Sequence, residues 1–316
     1  MRICVLLLAV GFVGCAGEAR MARYFEAHLE AEIAALIARG TPQSLATAAV
    51  LLNFKTDSRS LTLIDRAVAM APADAKLIYL QWGECARHQC ADEQKIIEHL
   101  KAADPGNGLA WLPELNAARE RKSEAEITQL LATIGATRGL SFYWNPLNVM
   151  MVDALNENVP PEDRAAPGEN LSARGVTVIG VLAALAIPPL QSLGKSCRLD
   201  QFDQLGRRAA CEAMTARLSE SDTVIMQGLG ISIQQKWWPE GSPERERLRE
   251  QRRQYDYLVE ESTRPRFFGM NRDWAARFEA MRNFRSEADV ERAMLIFHHE
   301  PLERPVNWKD PYPHGE

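Results

Sequence analysis

Long apolar runs are scarce in this chain. A membrane-spanning helix needs about 20 apolar residues, and the most apolar internal stretch, Val176–Leu190, has 15. That excludes a polytopic membrane protein. Charge of one sign is equally scarce. The formal charge is −5 and the pI about 5.8, so there is no electrostatic footprint for nucleic acid, and none is expected as a partner. With 19 glycines and 17 prolines in 316 residues, collagen is excluded. An apolar share of 46% excludes global disorder. Recognisable catalytic patterns are also missing. No serine sits in Gly-x-Ser-x-Gly, and no nucleophile–base set is legible. Gly228-Leu229-Gly230 lacks both a preceding strand and a third glycine, so it is not a phosphate loop. No cofactor is expected, and enzymatic activity stays open.

What is there begins at the N-terminus. Arg2 precedes Ile3–Val13, an apolar run of 11 residues. As a helix it would span ~16 Å against a hydrocarbon core of ~30 Å, which suits the apolar region of a signal peptide. Phe12-Val13-Gly14-Cys15 follows, then Ala16-Gly17. Small residues let the chain lie extended in a peptidase cleft, and a cysteine just after the cut offers a thiol for acylation. This segment resembles a bacterial lipoprotein signal peptide, with Phe12 standing where the family prefers Leu. The resemblance implies that residues 1–14 are removed and that Cys15 is lipidated, anchoring the chain to a membrane. Ala16, rather than Asp, implies transfer to the outer membrane. The alternative is a plain secretory signal with Cys15 incidental.

Four cysteines remain after Cys4 and Cys15: Cys85, Cys90, Cys197 and Cys211. An even count in an exported chain suggests disulfides. Four cysteines allow three connectivities, of which the local one, Cys85–Cys90 with Cys197–Cys211, is favoured. In a continuous helix Cys85 and Cys90 would be ~8–9 Å apart, beyond bridging distance. A bridge therefore requires a turn near His88-Gln89. Free thiols and metal ligation are the alternatives, although nothing completes a zinc pattern around His88. The other histidines are His28, His99, His298, His299 and His314. Only His298-His299-Glu300 is clustered, and neighbours on a helix point ~100° apart, so no metal is expected there.

From Ala19 onward the apolar residues recur at helical spacing and no long run alternates with period two. The expected fold class is all-α. Helices are predicted over Ala19–Arg39, Gln43–Asn53, Ser58–Met70, Ala73–Arg87, Asp92–Ala103, Gly108–Arg121, Ser123–Ile134, Leu147–Asn156, Val176–Leu190, Asp200–Ser219, Asp222–Lys236, Ser242–Ser262, Arg272–Phe284 and Glu287–His298. Ser123 with Glu126 reads as a capping box, and Ser286 as a cap. Asp200 and Asp203 would favour the N-terminal dipole of their helix. Ile64-x-x-Ala67-x-x-x-x-Pro72 recurs as Ile97-x-x-Leu100-x-x-x-x-Pro105, 33 residues on. This resembles the tetratricopeptide repeat, which implies stacked antiparallel helix pairs over about Ser58–Gly135. Generic helical hairpins are the alternative.

The expected organisation is a signal peptide at 1–14, a helical array at 15–139, a junction at 140–175, a second helical region at 176–300 and a proline-rich tail at 301–316. The junction holds the aromatic cluster Phe142-Tyr143-Trp144-Asn145-Pro146, expected to pack between the halves, and the loop Pro160–Gly168. Glu244–Glu261 is the densest charge run and reads as a solvated helix face with a narrow stripe of Leu248, Tyr255, Leu258 and Val259. Together these point to a lipid-anchored periplasmic interaction protein whose partner is an unidentified envelope protein or peptide. By architecture it is comparable with assembly, secretion or effector-immunity lipoproteins. An envelope enzyme or a small-ligand-binding lipoprotein is the alternative.

Overall fold

The computed structural model describes residues 29–52, 57–157, 178–180, 182, 190–262 and 271–308. The expected signal segment, Cys15, His28, the expected loop at 160–168, most of Val176–Leu190, His314 and the end of the tail lie outside them. Among the described residues the fold is all-α, with a single isolated bridge, Asn107 to Gly139, and no helix long and apolar enough to cross a membrane.

Helix α1 covers 29–39, burying Leu29, Ile33 and Leu36 at helical spacing. Gly40, at φ +68°, ends it, a conformation that suits glycine. Then come α2 (Pro42–Leu52), α3 (Arg59–Met70), α4 (Ala75–His88) and α5 (Glu93–Ala103). A 3-10 turn (Gly108–Trp111) leads into α6 (Leu112–Glu120), followed by α7 (Glu124–Ala136) and α8 (Trp144–Asn156). The chain continues with α9 (Gln191–Ser196), a 3-10 turn (Leu199–Gln201), α10 (Arg207–Ser219), α11 (Val224–Gln235), α12 (Pro243–Ser262), α13 (Asn271–Asn283) and α14 (Glu287–Phe297). Nearly every residue of α2 is buried, so it is a central helix.

Helices α2 to α5 pack each on the next. The second half is joined to the first at three places. α10 packs on α7, α9 touches α6, and α8 bridges α2 to α13. Contacts from α10 through α11, α12, α14 and α13 back to α8 close a circuit. One continuous apolar core runs from Leu29 to Met294. Pro72 and Pro105 lie just past the ends of α3 and α5, where a missing N–H costs nothing. Ala67 is fully buried, so helices approach closely over it.

Several boundaries differ from expectation. α8 starts at Trp144 rather than Leu147, because a proline in the first turn interrupts no helical bond. The helix expected over Asp200–Ser219 is broken: Gly206 adopts φ +75° and α10 starts at Arg207. Asp200 consequently pairs with Arg198 at 3.1 Å, and neither it nor Asp203 lies in the first turn of α10. The capping box at Ser123 does not form. Ser123 is the N-cap by position, but its side chain accepts no helix amide, and Glu126 pairs with Arg121 at 2.7 Å. Ser286 does cap α14, accepting from Asp289 N–H at 3.2 Å.

Both local cysteine pairs stand at disulfide distance. Gln89 turns left-handed at φ +54°, and Cys90 N–H reaches back to Cys85 O at 3.0 Å. This is a Schellman closure, and it brings the two Cα atoms to 5.0 Å. Cys197 and Cys211 are 5.6 Å apart by Cα. In the chain-entropy picture the loops are worth about 2 and 3 kcal/mol.

Two outcomes are expected. Peptide mapping without reduction recovers Cys85 linked to Cys90 and Cys197 linked to Cys211; crossed peptides would contradict the geometry. Ala67→Glu buries an unpaired charge between helices and lowers stability by roughly 3 kcal/mol or more. Arg66→Ala, on the exposed face of the same helix, stays within ~0.5 kcal/mol. Thermal melts separate the two.

Candidate functional site

The residues that position the site lie where the halves meet. Tyr143 precedes α8 at φ +55° and supplies no cap of its own. The cap comes from the other half of the chain. The buried Asp222 carboxylate accepts Ser141 Oγ–H at 2.7 Å, Phe142 N–H at 2.9 Å and Trp144 N–H at 3.2 Å. An anion at a helix N-terminus satisfies orphan amides and the macrodipole together. Asn107 holds the same strand of backbone from beneath, donating to Ser141 O at 2.8 Å and accepting from Ser141 N–H at 2.9 Å. Tyr143 Oη donates to Asp104 at 2.9 Å, and Asn145 donates to Phe284 O at 2.9 Å.

A second long-range cap lies within the second half. Helix α11 starts after Thr223, whose side chain caps nothing. Instead Glu287 Oε2, from the first turn of α14, accepts Val224 N–H at 2.8 Å, while Glu287 N–H donates to Asp222 O at 2.8 Å. A third long-range tie is Arg207, only 1% exposed. It donates to Thr128 Oγ1 at 2.9 Å, Ser196 O at 3.2 Å, and Glu124 O and Oε2, both at 2.8 Å. It fastens α10 to α7.

Held this way, α8 presents one face outward. Pro146, Val149, Met150, Asp153 and Glu157 follow helical spacing on it. They floor and edge an open cleft of about 590 Å³. The α1–α2 turn adds Thr41, the start of α4 adds Asp74 and Lys76, and α13 adds Met281 and Arg282. The floor is apolar and the rim is ion-paired. Lys76 sits 2.9 Å from Asp74, Arg282 2.5 Å from Asp153, and Arg39 2.9 Å from Glu157. Such half-exposed pairs contribute little stability each. Their effect is a rim of alternating charge around an apolar slot, a form suited to binding.

Other residues singled out in the sequence are placed elsewhere. His298 and His299 end α14, with His299 left-handed at φ +59°. His298 Nε2 lies 3.8 Å from Asp273. No group of three or more metal-binding side chains is assembled among the described residues. Gly228 and Gly230 are inside α11. A Cβ at Gly228 would sit 3.1 Å from the Tyr255 ring, and one at Gly230 3.0 Å from Leu218, so both serve close helix packing. Along α12, Glu246–Arg249 and Glu250–Arg253 pair at 2.8 and 2.7 Å, and Tyr257 joins Leu248 and Leu258 in the buried stripe.

Burial drives the electrostatics of the junction. It pushes the Asp222 carboxyl up from its ordinary value, against the pull of its donors. It pushes Glu287 up to about 8, helped by the charge of Glu291. Comparison with known proteins returns no matching family model, no similar curated protein and no similar solved structure. The functional reading therefore stands on these residues alone.

A pH dependence follows. Glu287 has a folded-state value above its unfolded one, so between the two the folded state holds a proton that the unfolded chain has released. Its contribution is fullest at low pH and is lost as pH rises through about 8. The melting temperature should fall between pH 6 and pH 9. Glu287→Gln should flatten that fall while preserving the melt at pH 6. An unchanged slope in the variant would refute the assignment.

Proposed function

We propose that this protein is a lipid-anchored component of a bacterial cell envelope, an interaction module that receives a segment of a partner protein in the cleft floored by α8. The observation that carries the reading is the cleft itself. It joins an apolar floor of Val149, Met150 and Met281 to a charged rim, and its walls come from both halves of the chain. An inserted apolar side chain would be desolvated on that floor while the rim fixes orientation.

The anchor rests on Phe12-Val13-Gly14-Cys15 behind a short apolar run. Two or three acyl chains on one residue make a stable attachment that a single chain does not. The two local cysteine pairs at bridging distance agree with an oxidising compartment. The 33-residue interval and the prolines just past α3 and α5 agree with a divergent tetratricopeptide-like array as the scaffold. The cleft volume also lies in the small-molecule range of roughly 300–1,000 Å³, so a small ligand is the second reading.

Two measurements test this. Cys15→Ala should abolish incorporation of labelled palmitate; normal labelling would sink the anchor. A photo-crosslinking residue at Val149 should give a discrete protein adduct in intact cells, and one at Arg66 should not. Equal yields at both positions would sink the cleft as the docking site. A small molecule retained through purification and lost in Met150→Asp would favour the second reading.

A further inference from the structure

The loop enclosed by Cys197 and Cys211 presents bulky apolar side chains to solvent on a rigid support. Leu205 is 98% exposed and Leu199 52%. Phe202 lies between them in sequence and is half-buried. The spacing of three matches the backbone, which turns by successive i to i+3 hydrogen bonds: Phe202 N–H to Leu199 O at 3.1 Å, Gln204 to Gln201 at 3.2 Å, and Arg207 to Gln204 at 3.0 Å. Full exposure of a leucine on a mobile tip would mean little. This tip is fastened from several sides. The cysteine pair closes its base, and Arg207 is buried directly after it. Phe202 packs edge-on against Trp237 at 5.5 Å, and Trp237 Nε1–H donates to Cys197 O at 2.7 Å.

The surroundings are basic as well as aromatic. Lys195, Arg198, Arg208 and Lys236 are all exposed at this end. Arg208 lies over the Phe202 ring at 5.9 Å. Of the nearby acids, Asp200 is engaged by Arg198 and Glu212 by Arg208, each near 3 Å, and Asp203 stands alone. The patch thus carries a net positive charge on a chain whose total is −5. Exposed leucines, an indole and a phenyl ring at the boundary, and basic side chains with long apolar stems are what an interfacial lipid contact uses.

We infer that the Leu199–Leu205 loop, with Trp237 and its basic flank, is a lipid-contacting surface that seats this end of the protein on an anionic phospholipid leaflet. The inference rests on the envelope location proposed above. Thirteen residues lie between Cys15 and the first described residue, Leu29. Fully extended they reach at most about 45–50 Å, so an anchored chain has slack to lay this end on the bilayer. The contact would orient the protein relative to the membrane, which a single N-terminal attachment point alone does not.

The test uses the full chain carrying Cys15→Ala, so that no acyl chain contributes. An environment-sensitive fluorophore is placed at Leu205→Cys, or at Arg66→Cys on α3 as the control. Vesicles of phosphatidylethanolamine with phosphatidylglycerol should blue-shift the label at 205 and leave the one at 66 unchanged. Leu199→Ser should weaken the response at least about tenfold, the equivalent of one buried apolar side chain. Lys195→Gln with Lys236→Gln should weaken it further and reduce its salt sensitivity. Identical responses at both positions, or none at 205, would overturn the inference. So would a dimer in sedimentation velocity that Leu205→Ser dissociates without any vesicle response, which would assign the patch to a second copy. Failure of the anchor is read separately, from palmitate labelling of the parent.

Discussion

The buried Asp222 carboxylate holds this structure to its shape. It caps a helix that begins 78 residues earlier in the chain, and it does so with its side chain while its backbone oxygen receives Glu287 N–H. Glu287 in turn caps α11. The starts of α8 and α11 are therefore satisfied by residues from elsewhere in the chain. Leaving those amides buried without partners would cost about 1–3 kcal/mol each. The Asp222 cap makes α8 dependent on the second half, because α8 does not cap its own start.

The cleft inherits that dependence. α8 is pinned at its start by Asp222 and Asn107, and near its end by Arg39, which donates to Ala154 O at 2.9 Å. Between those ties its outer face has no choice of orientation. Met281 and Arg282 complete the cleft from α13, a helix that reaches the site only because the circuit of helices closes. Substitutions on the rim should act locally, whereas changes at Asp222 or Arg207 should propagate through α8 or α10. The charged rim contributes alternating sign more than stability.

Much of the helix inventory was legible because its causes are local. Pro72 and Pro105 end helices through their own missing N–H, and Ser286 caps three residues on. The turn required between Cys85 and Cys90 was readable from helical rise alone, and Gln89 supplies it. Where a local signal failed, a competing partner had displaced it. Ser123 and Glu126 spell a capping box, yet Glu126 is taken by Arg121. Asp222 was expected as the first residue of a helix, yet it lies just before α11 and its side chain serves α8. Arg207 falls inside the helix expected over Asp200–Ser219, and nothing local marks it out; its four acceptors come from α7 and the end of α9. Tyr143 gave no warning of its left-handed backbone, since that strain is held by the Asn107 and Asp222 network.

The sequence by itself determined the all-α class, most helix lengths and the breakers between them, and it favoured the local cysteine pairing, because apolar periodicity, proline and short loop closure act over a few residues. It also carried the N-terminal signal pattern, which no fold is needed to read. Only the tertiary structure decided which helix ends cap one another, that one core joins both halves, and that α8, α4 and α13 surround a cleft. Those outcomes depend on contacts between residues up to about 140 positions apart, and hydrogen-bond satisfaction in a buried junction is a property of the assembled fold rather than of any segment.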